Sequence, residues 1–306
     1  MRILVLGSAA GGGSPQWNCH CAMCAQHDGA APPPFPARTQ SSIALNSAGD
    51  DWLLINASPD LRQQLLGNPA MRPARGVRDS GVHSVLLMDS QIDHCSGLLL
   101  LRESRQPIRL YCTPRVREDL ETGYPVLQML KSYCDVELRE IQPDGQAFEV
   151  EGLPDVRLRA IALTSKPPPY SPHRAAPAPG DNIGLLVTHM PTLRSLFYAP
   201  GLGEMEPVVA DAMAQADCML VDGTCWTDDE MQRRGVGHKL ARDMGHLPQS
   251  GPGGMREVLA AFPQVRRILI HINNTNPILD PCSEEAQLLQ DEGIEVAEDG
   301  MEIRLC

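Results

Sequence analysis

The sequence predicts a layered α/β fold in which helices cover β-sheets. Three observations predict it. Strand-like and helix-like runs alternate in both halves of the 306 residues. The first run, RILVL, is apolar after its arginine and then breaks on glycines, as a buried strand entering a turn does. No stretch reads as an interdomain linker, so residues 1–306 are expected to form a single domain with a sizeable core.

Along the chain, apolar runs of strand length fall at residues 2–6, 42–46 and 52–56, and residues 60–66 carry a helical spacing. Residues 84–88 are the next strand and 97–105 the next helix. A strand at 108–111 precedes helices at 114–122, opened by proline, and 126–133. Strands at 156–162, 183–188 and 195–199 lead to a helix at 206–214 and a strand at 219–221. Helices at 228–234 and 254–262, a strand at 268–272 and a helix at 283–291 follow, and Val296 and Ile303 mark the last strands. Two proline-rich stretches, APPPFPAR (31–38) and KPPPYSPHRAAPAPG (166–180), cannot hold regular structure, because proline lacks the N–H and fixes φ. They are expected as long surface loops, the second an insertion whose Tyr170 and His173 lie within reach of a lid role.

The composition, 42% hydrophobic and 21% charged, is that of an ordinary globular protein. A net charge of −12 with only three lysines argues against a nucleic-acid partner, which would need clustered cations. The longest apolar runs, such as LLLL at 98–101, are too short to span a membrane. The N-terminal run is also too short for a signal peptide, so the cytoplasm is the expected compartment. Ten cysteines suit that compartment as thiols or metal ligands.

Four constellations carry chemistry. In LLMDSQIDHCSG (86–97) a strand runs into a loop bearing Asp89, Gln91, Asp93 and His94. Alternating loop residues converge on one point, as metal ligands must, although Asp93 equally suits a helix cap with His94 packed beneath it. In ILIHINNTNP (268–277) an apolar strand delivers His271, a ligand or a core histidine bonded to backbone. Both loops lie at carboxyl ends of strands, where open α/β sheets place their sites. Asp222 in DGTCW and His246 in GHLP offer a ligand, an acid–base pair or a structural cap. Cys19, Cys21 and Cys24 in CHCAMC supply three thiolates for one tetrahedral structural zinc, with a fourth ligand from elsewhere in the chain or from His20 or His27 nearby. The alternative is a redox pair of Cys21 and Cys24, which no thioredoxin-like setting surrounds. The glycine run GSAAGGGSP (7–15) lacks the Lys-Ser/Thr ending of a phosphate loop and reads as a connection that passes close to a site.

In order, these residues resemble the metallo-β-lactamase superfamily over nearly the whole chain. The resemblance implies an αββα sandwich: two packed mixed sheets, helices outside and metals at one sheet edge. The superfamily's H-x-H-x-D-H signature falls on Asp89-Ser90-Gln91-Ile92-Asp93-His94, where only the last two positions match, and its final histidine falls on His271. Pro200 and Gly201 stand where the bridging aspartate is expected, and Thr164 and Ser165 where a further histidine is. Within the superfamily, MRILVLGSAAGGGSPQWNCHCAMC, SQIDHCSGLLLLRE, KPPPYSPH, FYAPGLG and VDGTCWTDDEM with MGHLP resemble the B family of pyrroloquinoline quinone (PQQ) biosynthesis proteins. The cysteine triad is similar to the structural zinc site of phosphonate-pathway phosphodiesterases, whose fourth ligand falls on Asn274 here.

Loss of one metal's ligands leaves two imidazoles and a carboxylate, Asp93, His94 and His271, a composition that suits non-haem iron(II) and dioxygen. On that reading Asp89 and Gln91 become polar contacts for substrate, and the resemblance to tRNA-processing nucleases makes Asp222 and His246 a proton relay. The resemblance implies work on a tyrosine-derived (Glu-Tyr) PQQ precursor by an iron-dependent hydroxylase, alongside a structural Zn2+. The alternatives are a zinc-dependent hydrolase and a non-catalytic carrier of PQQ or its precursor. Other PQQ-pathway proteins and a second copy of the chain complete the expected partners, with no nucleic acid and no membrane.

Overall fold

A computed structural model describes residues 1–29 and 31–305. Fourteen strands are named among them: β1 (Arg2–Gly7), β2 (Ser42–Asn46), β3 (Trp52–Ile55), β4 (Val82–Leu86), β5 (Ile108–Cys112), β6 (Val136–Glu140), β7 (Asp144–Phe148), β8 (Val156–Ala162), β9 (Ile183–His189), β10 (Arg194–Ala199), β11 (Cys218–Asp222), β12 (Arg266–Ile270), β13 (Ile294–Val296) and β14 (Glu302–Arg304). They form two seven-stranded sheets, ordered β14-β1-β2-β3-β4-β5-β6 and β13-β12-β11-β10-β9-β8-β7. Both are mixed. β3 to β6 run parallel, as do β10 to β13, and the other pairings are antiparallel.

The side-chain alternation of each strand builds four layers. In β1, Ile3 and Val5 point between the sheets, where they meet Leu158, Leu185, Tyr198 and Ile268 of the other sheet. Leu4 and Leu6 point outward, with Trp52 and Leu54, under the helical residues Leu61, Leu98, Val116 and Leu120. The second sheet repeats this outside: Phe197, Met219, Val221 and Leu269 pack under Val209, Met213, Met255 and Leu259. Strands buried on both faces read as continuous apolar runs, which explains why the central strands were visible in the sequence. The expected αββα sandwich is the observed fold. No helix of the described residues is long and apolar enough to cross a membrane.

Some local expectations give way. The helix expected over 97–105 is a 3-10 helix, Ser96–Glu103, preceded by the short α-helix Ile92–Cys95. Gly97 donates its N–H to Ala57 O at 2.8 Å, outside any helical ladder, and a Cβ there would meet Ser58 O at 2.1 Å. The helix expected over 126–133 ends at Leu130. Asp93 is not a helix cap: Gln91 holds that position and Asp93 lies in the first turn. The edge strands β6 (VELRE) and β7 (DGQAF) escaped the sequence reading because both are half-exposed and polar.

Candidate metal centre

β4 and β12 bring the two ligand loops together. β4 continues through Leu87 and Met88 to Asp89, and the turn after it starts the helix that carries Asp93 and His94. β12 ends at Ile270, and His271 follows with φ 62°, a left-handed conformation unusual for a histidine. Its chain is held there by Ile272 N–H to Ser8 O at 2.9 Å and Ala10 N–H to Ile272 O at 2.8 Å. The glycine connection passes overhead: a Cβ on Gly11 would stand 3.2 Å from Asp93 Oδ2.

Asp93, His94 and His271 offer ligand atoms within 4.8 Å of one another. Asp93 Oδ2 lies 3.4 Å from His271 Nε2 and 3.6 Å from His94 Nε2, and the two rings meet edge-on at 5.3 Å. His94 Nε2 is buried without a hydrogen-bond partner. A buried, unpaired imidazole nitrogen facing a carboxylate and a second imidazole is what a divalent metal would satisfy, so these residues fit one. Burial works against charge on all three groups. The imidazoles of His94 and His271 nevertheless hold Asp93 well below the usual carboxylate range. Against the same burial, Asp89 and Asp93 push His94 up to about 9. Burial lowers His271, with Asp93 opposing.

Asp89 behaves differently from the expected substrate contact. Its two oxygens lie 2.9 and 2.8 Å from His94 Nδ1, on the side of the ring away from Nε2, and Oδ1 also accepts Gln91 N–H at 2.8 Å. The carboxylate is buried and committed to orienting His94, the usual outer partner of a ligating histidine. Gln91 remains half-buried with no side-chain hydrogen bond among the described residues.

On the other face of His271 lies a second cluster, Asp222, His246 and His271. Asp222 Oδ2 accepts His246 Nδ1–H at 2.7 Å and Leu202 N–H at 2.8 Å. Oδ1 accepts Thr224 N–H at 2.9 Å and Thr224 Oγ–H at 2.7 Å. His246 stacks on His271 at 5.2 Å, and despite burial Asp222 raises its affinity for a proton. Thr224, which the sequence reading passed over inside DGTCW, also lies 3.0 Å from His271 Nδ1, so that His271 presents Nε2 toward Asp93. Partly exposed, hydrogen-bonded to a carboxylate and close to the centre, His246 can hold and pass a proton.

The cysteine loop folds against the same strand-end loop. Cys19, Cys21 and Cys24 place their sulfurs within 4.8 Å of one another. Gln16 N–H and Asn274 Nδ2 reach Cys24 Sγ at 3.4 and 3.2 Å, and Asn274 Nδ2 lies 3.8 Å from Cys21 Sγ. Burial raises the Cys24 thiol to about 11, whereas for Cys21 the backbone N–H groups of Cys24 and Met23 outweigh burial and lower it. Three convergent sulfurs fit a tetrahedral zinc. Of the candidates for the fourth place, Asn274 is the one brought to the sulfurs. His20 pairs with Asp28 at 3.0 Å, and His27 packs edge-on against Phe35 at 4.9 Å.

The proline-rich stretch is a strap. Tyr170 donates its hydroxyl to Ser90 O, and Ser171 donates to Asp119, which also accepts Ser90 Oγ–H at 2.6 Å. Arg115 binds Asp181 at 2.7 Å and Ala176 O at 2.9 Å. The helix Pro114–Glu121 thus ties the strap to the loop of Asp89.

The Beta-lactamase superfamily domain profile matches residues 51–272. The chain is 53% identical to the coenzyme PQQ synthesis protein B of Methylococcus capsulatus and 55% identical to that of Azoarcus sp., with 100% of each chain covered. It is also similar, at a TM-score of 0.87 and 35% identity over 100% of both chains, to Zn(2+)-bound PqqB from Methylobacterium extorquens.

Proposed function

From the premise that this chain belongs to the coenzyme PQQ synthesis protein B family of the beta-lactamase superfamily, and so serves PQQ biosynthesis, we propose that it is an iron(II)-dependent hydroxylase of a tyrosine-derived precursor. Asp93, His94 and His271 would hold the ion, and the cysteine loop a structural zinc. When bound, an iron(II) ion at two imidazoles and one carboxylate supplies dioxygen chemistry. One oxygen atom enters the substrate ring and the other leaves as water, with two electrons from an added reductant.

The observation that carries this reading is the asymmetry of the two clusters. Asp93, His94 and His271 leave His94 Nε2 without a partner, while at Asp222 every carboxylate position is met by a donor. The chain's own residues then divide the work. Asp89 holds the His94 ring, Thr224 holds the His271 ring, and the Asp222–His246 pair takes or returns the proton exchanged with the phenol. Gln91, half-exposed beside Asp93, faces substrate.

Zinc hydrolysis is the second reading, supported by the Zn(2+)-bound state of the Methylobacterium extorquens relative. One experiment separates the two. Protein reconstituted anaerobically with iron(II), then given a glutamyl-tyrosine substrate, ascorbate and oxygen, is expected to consume oxygen and yield a product heavier by one oxygen atom. Zinc-loaded protein is expected to do neither. Bond cleavage by the zinc form, with no oxygen uptake by the iron form, would overturn the hydroxylase.

A further inference from the structure

A cavity of about 290 Å3 is lined in part by Gly245, the residue before His246. Its lining comes from four segments, which carry Lys166, Pro177, Glu204 and the pair Arg242 and Asp243, and it includes Gly203 and Gly245. Two of these segments also build the Asp222–His246 pair. Gly245 precedes His246, and Gly203 follows Leu202, whose N–H binds Asp222 and whose carbonyl accepts Leu247 N–H at 2.8 Å. The floor is closed by bare backbone. A Cβ on Gly203 would stand 3.0 Å from Gly245 O, and one on Gly245, at φ +91°, would stand 2.4 Å from Ser165 Oγ. Neither position could carry a side chain without displacing its neighbours.

The charges on its walls are free. Lys166, Glu204 and the Arg242 guanidinium make no hydrogen bond or ion pair with the described residues, while Asp243 is occupied with Leu240 N–H at 3.2 Å. Lys166 is one of three lysines in a chain of net charge −12, and it lines this cavity together with Arg242. Two cations and two anions, one of the anions already bonded to a backbone N–H, match neither a simple anion nor a simple cation. They match a group bearing both signs on adjacent atoms. A larger cavity, of about 540 Å3, shares no residue with the centre, and its Arg38 is already met by Glu298 at 3.4 Å.

We infer that this cavity is a subsite for a free α-amino-acid head group, with Lys166 and Arg242 receiving the α-carboxylate and Glu204 the α-ammonium. At about 290 Å3 it is near the lower end of ligand pockets, enough for the head of a substrate whose remainder lies toward His246 and the metal ligands. The charge-assisted bonds supply orientation as well as affinity, presenting the ring in a fixed pose. The inference rests on the amino-acid-derived substrate proposed above and names the end by which it is held.

Calorimetric binding to the full-length, metal-loaded protein tests it without turnover. L-tyrosine, tyramine (no carboxylate) and N-acetyl-L-tyrosine (no ammonium) are the probes. L-tyrosine is expected to bind about tenfold or more tightly than either analogue, the effect of one charge-assisted hydrogen bond. The double variant Lys166→Gln/Arg242→Gln should lose about that factor for L-tyrosine while its tyramine binding stays unchanged. Glu204→Gln should weaken L-tyrosine and leave N-acetyl-L-tyrosine unaffected. Equal binding of the three probes, no binding of L-tyrosine at millimolar concentration, or variants that bind it as the unaltered chain does would each overturn the subsite. Oxygen uptake on the same samples keeps the two proposals apart. Discrimination among probes without oxygen uptake retains the subsite and removes the hydroxylase, and oxygen uptake with indiscriminate binding does the reverse.

Discussion

Replacing Asp89 by asparagine asks whom this carboxylate serves. Both oxygens lie within reach of His94 Nδ1, at 2.9 and 2.8 Å, and the two residues are only 7% and 3% exposed, so solvent screens the pair little. With a metal bound, the carboxylate would keep the ring proton on Nδ1 and raise the basicity of Nε2. Asparagine has nearly the same shape and keeps one acceptor oxygen for Nδ1–H, so the ring holds its place while the charge disappears. Outer partners of this kind are worth about 10–100-fold in metal affinity, or about 1.4–2.7 kcal/mol. Competition with a fluorescent chelator at neutral pH, on protein whose cysteine loop is already loaded with zinc, measures the difference. Affinity should fall within that range while KM for the substrate stays close to its original value. Unchanged metal affinity with a raised KM would refute the assignment and return Asp89 to the substrate-contact role its spacing suggests.

Three further substitutions follow from the same geometry. Cys21→Ser should release zinc from the loop and lower thermal stability without altering the metal at Asp93, His94 and His271, read by metal analysis and calorimetry; retained zinc would count against a structural site. Asp222→Asn should leave metal content unchanged and cut kcat by roughly 10²–10⁴, the usual worth of a positioned acid–base pair. Glu230 is buried, with Thr275 Oγ1 and Trp226 N–H donating to it at 2.5 Å, and burial raises its carboxyl from 4.5 to about 7. Because the folded state holds that proton more tightly than the unfolded chain, this group's contribution to stability is greatest below about pH 4.5, falls as pH rises to about 7 and then levels, by at most about 3 kcal/mol. Glu230→Gln should flatten that slope in denaturant titrations run across the interval.

Much of the fold was legible because its strands are buried on both faces. RILVL, WLLI and RRILI leave little choice but a covered sheet, and the loops after two such strands carry Asp93, His94 and His271. What stayed hidden depends on where side chains turn. Spacing places Asp89 five residues before His94, but whether its carboxylate faces outward or reaches back to that imidazole is decided by the helix starting at Ile92. Thr224 was hidden for a related reason. A threonine two residues after an aspartate reads as an ordinary turn hydroxyl, and only the approach of two distant histidines gives it a role. Asn274 was suggested for the cysteine cluster by family resemblance alone, and the structure brings it to the sulfurs, whereas the local alternatives His20 and His27 are drawn off by Asp28 and Phe35.

His271 belongs to both clusters, and its two nitrogens explain why only one of them suits a metal. Nδ1 lies against Thr224, beside an aspartate that already accepts from Leu202 N–H, Thr224 N–H, Thr224 Oγ–H and His246 Nδ1–H. Two carboxylate oxygens offer about four acceptor positions, so a cation at Asp222 would have to displace bonds that fasten the 202 and 224 loops. Nε2 faces the opposite way, toward Asp93 and the unpaired nitrogen of His94, where a cation would displace one long contact to Asp93 and the proton of His94 but no bond that fastens a loop. The stacked ring of His246 links the two sides at 5.2 Å, close enough for a proton on one to be felt by the other. The proposed division, one metal and one proton reservoir sharing a histidine, would give His94 Nε2 a partner and leave the four bonds to Asp222 in place.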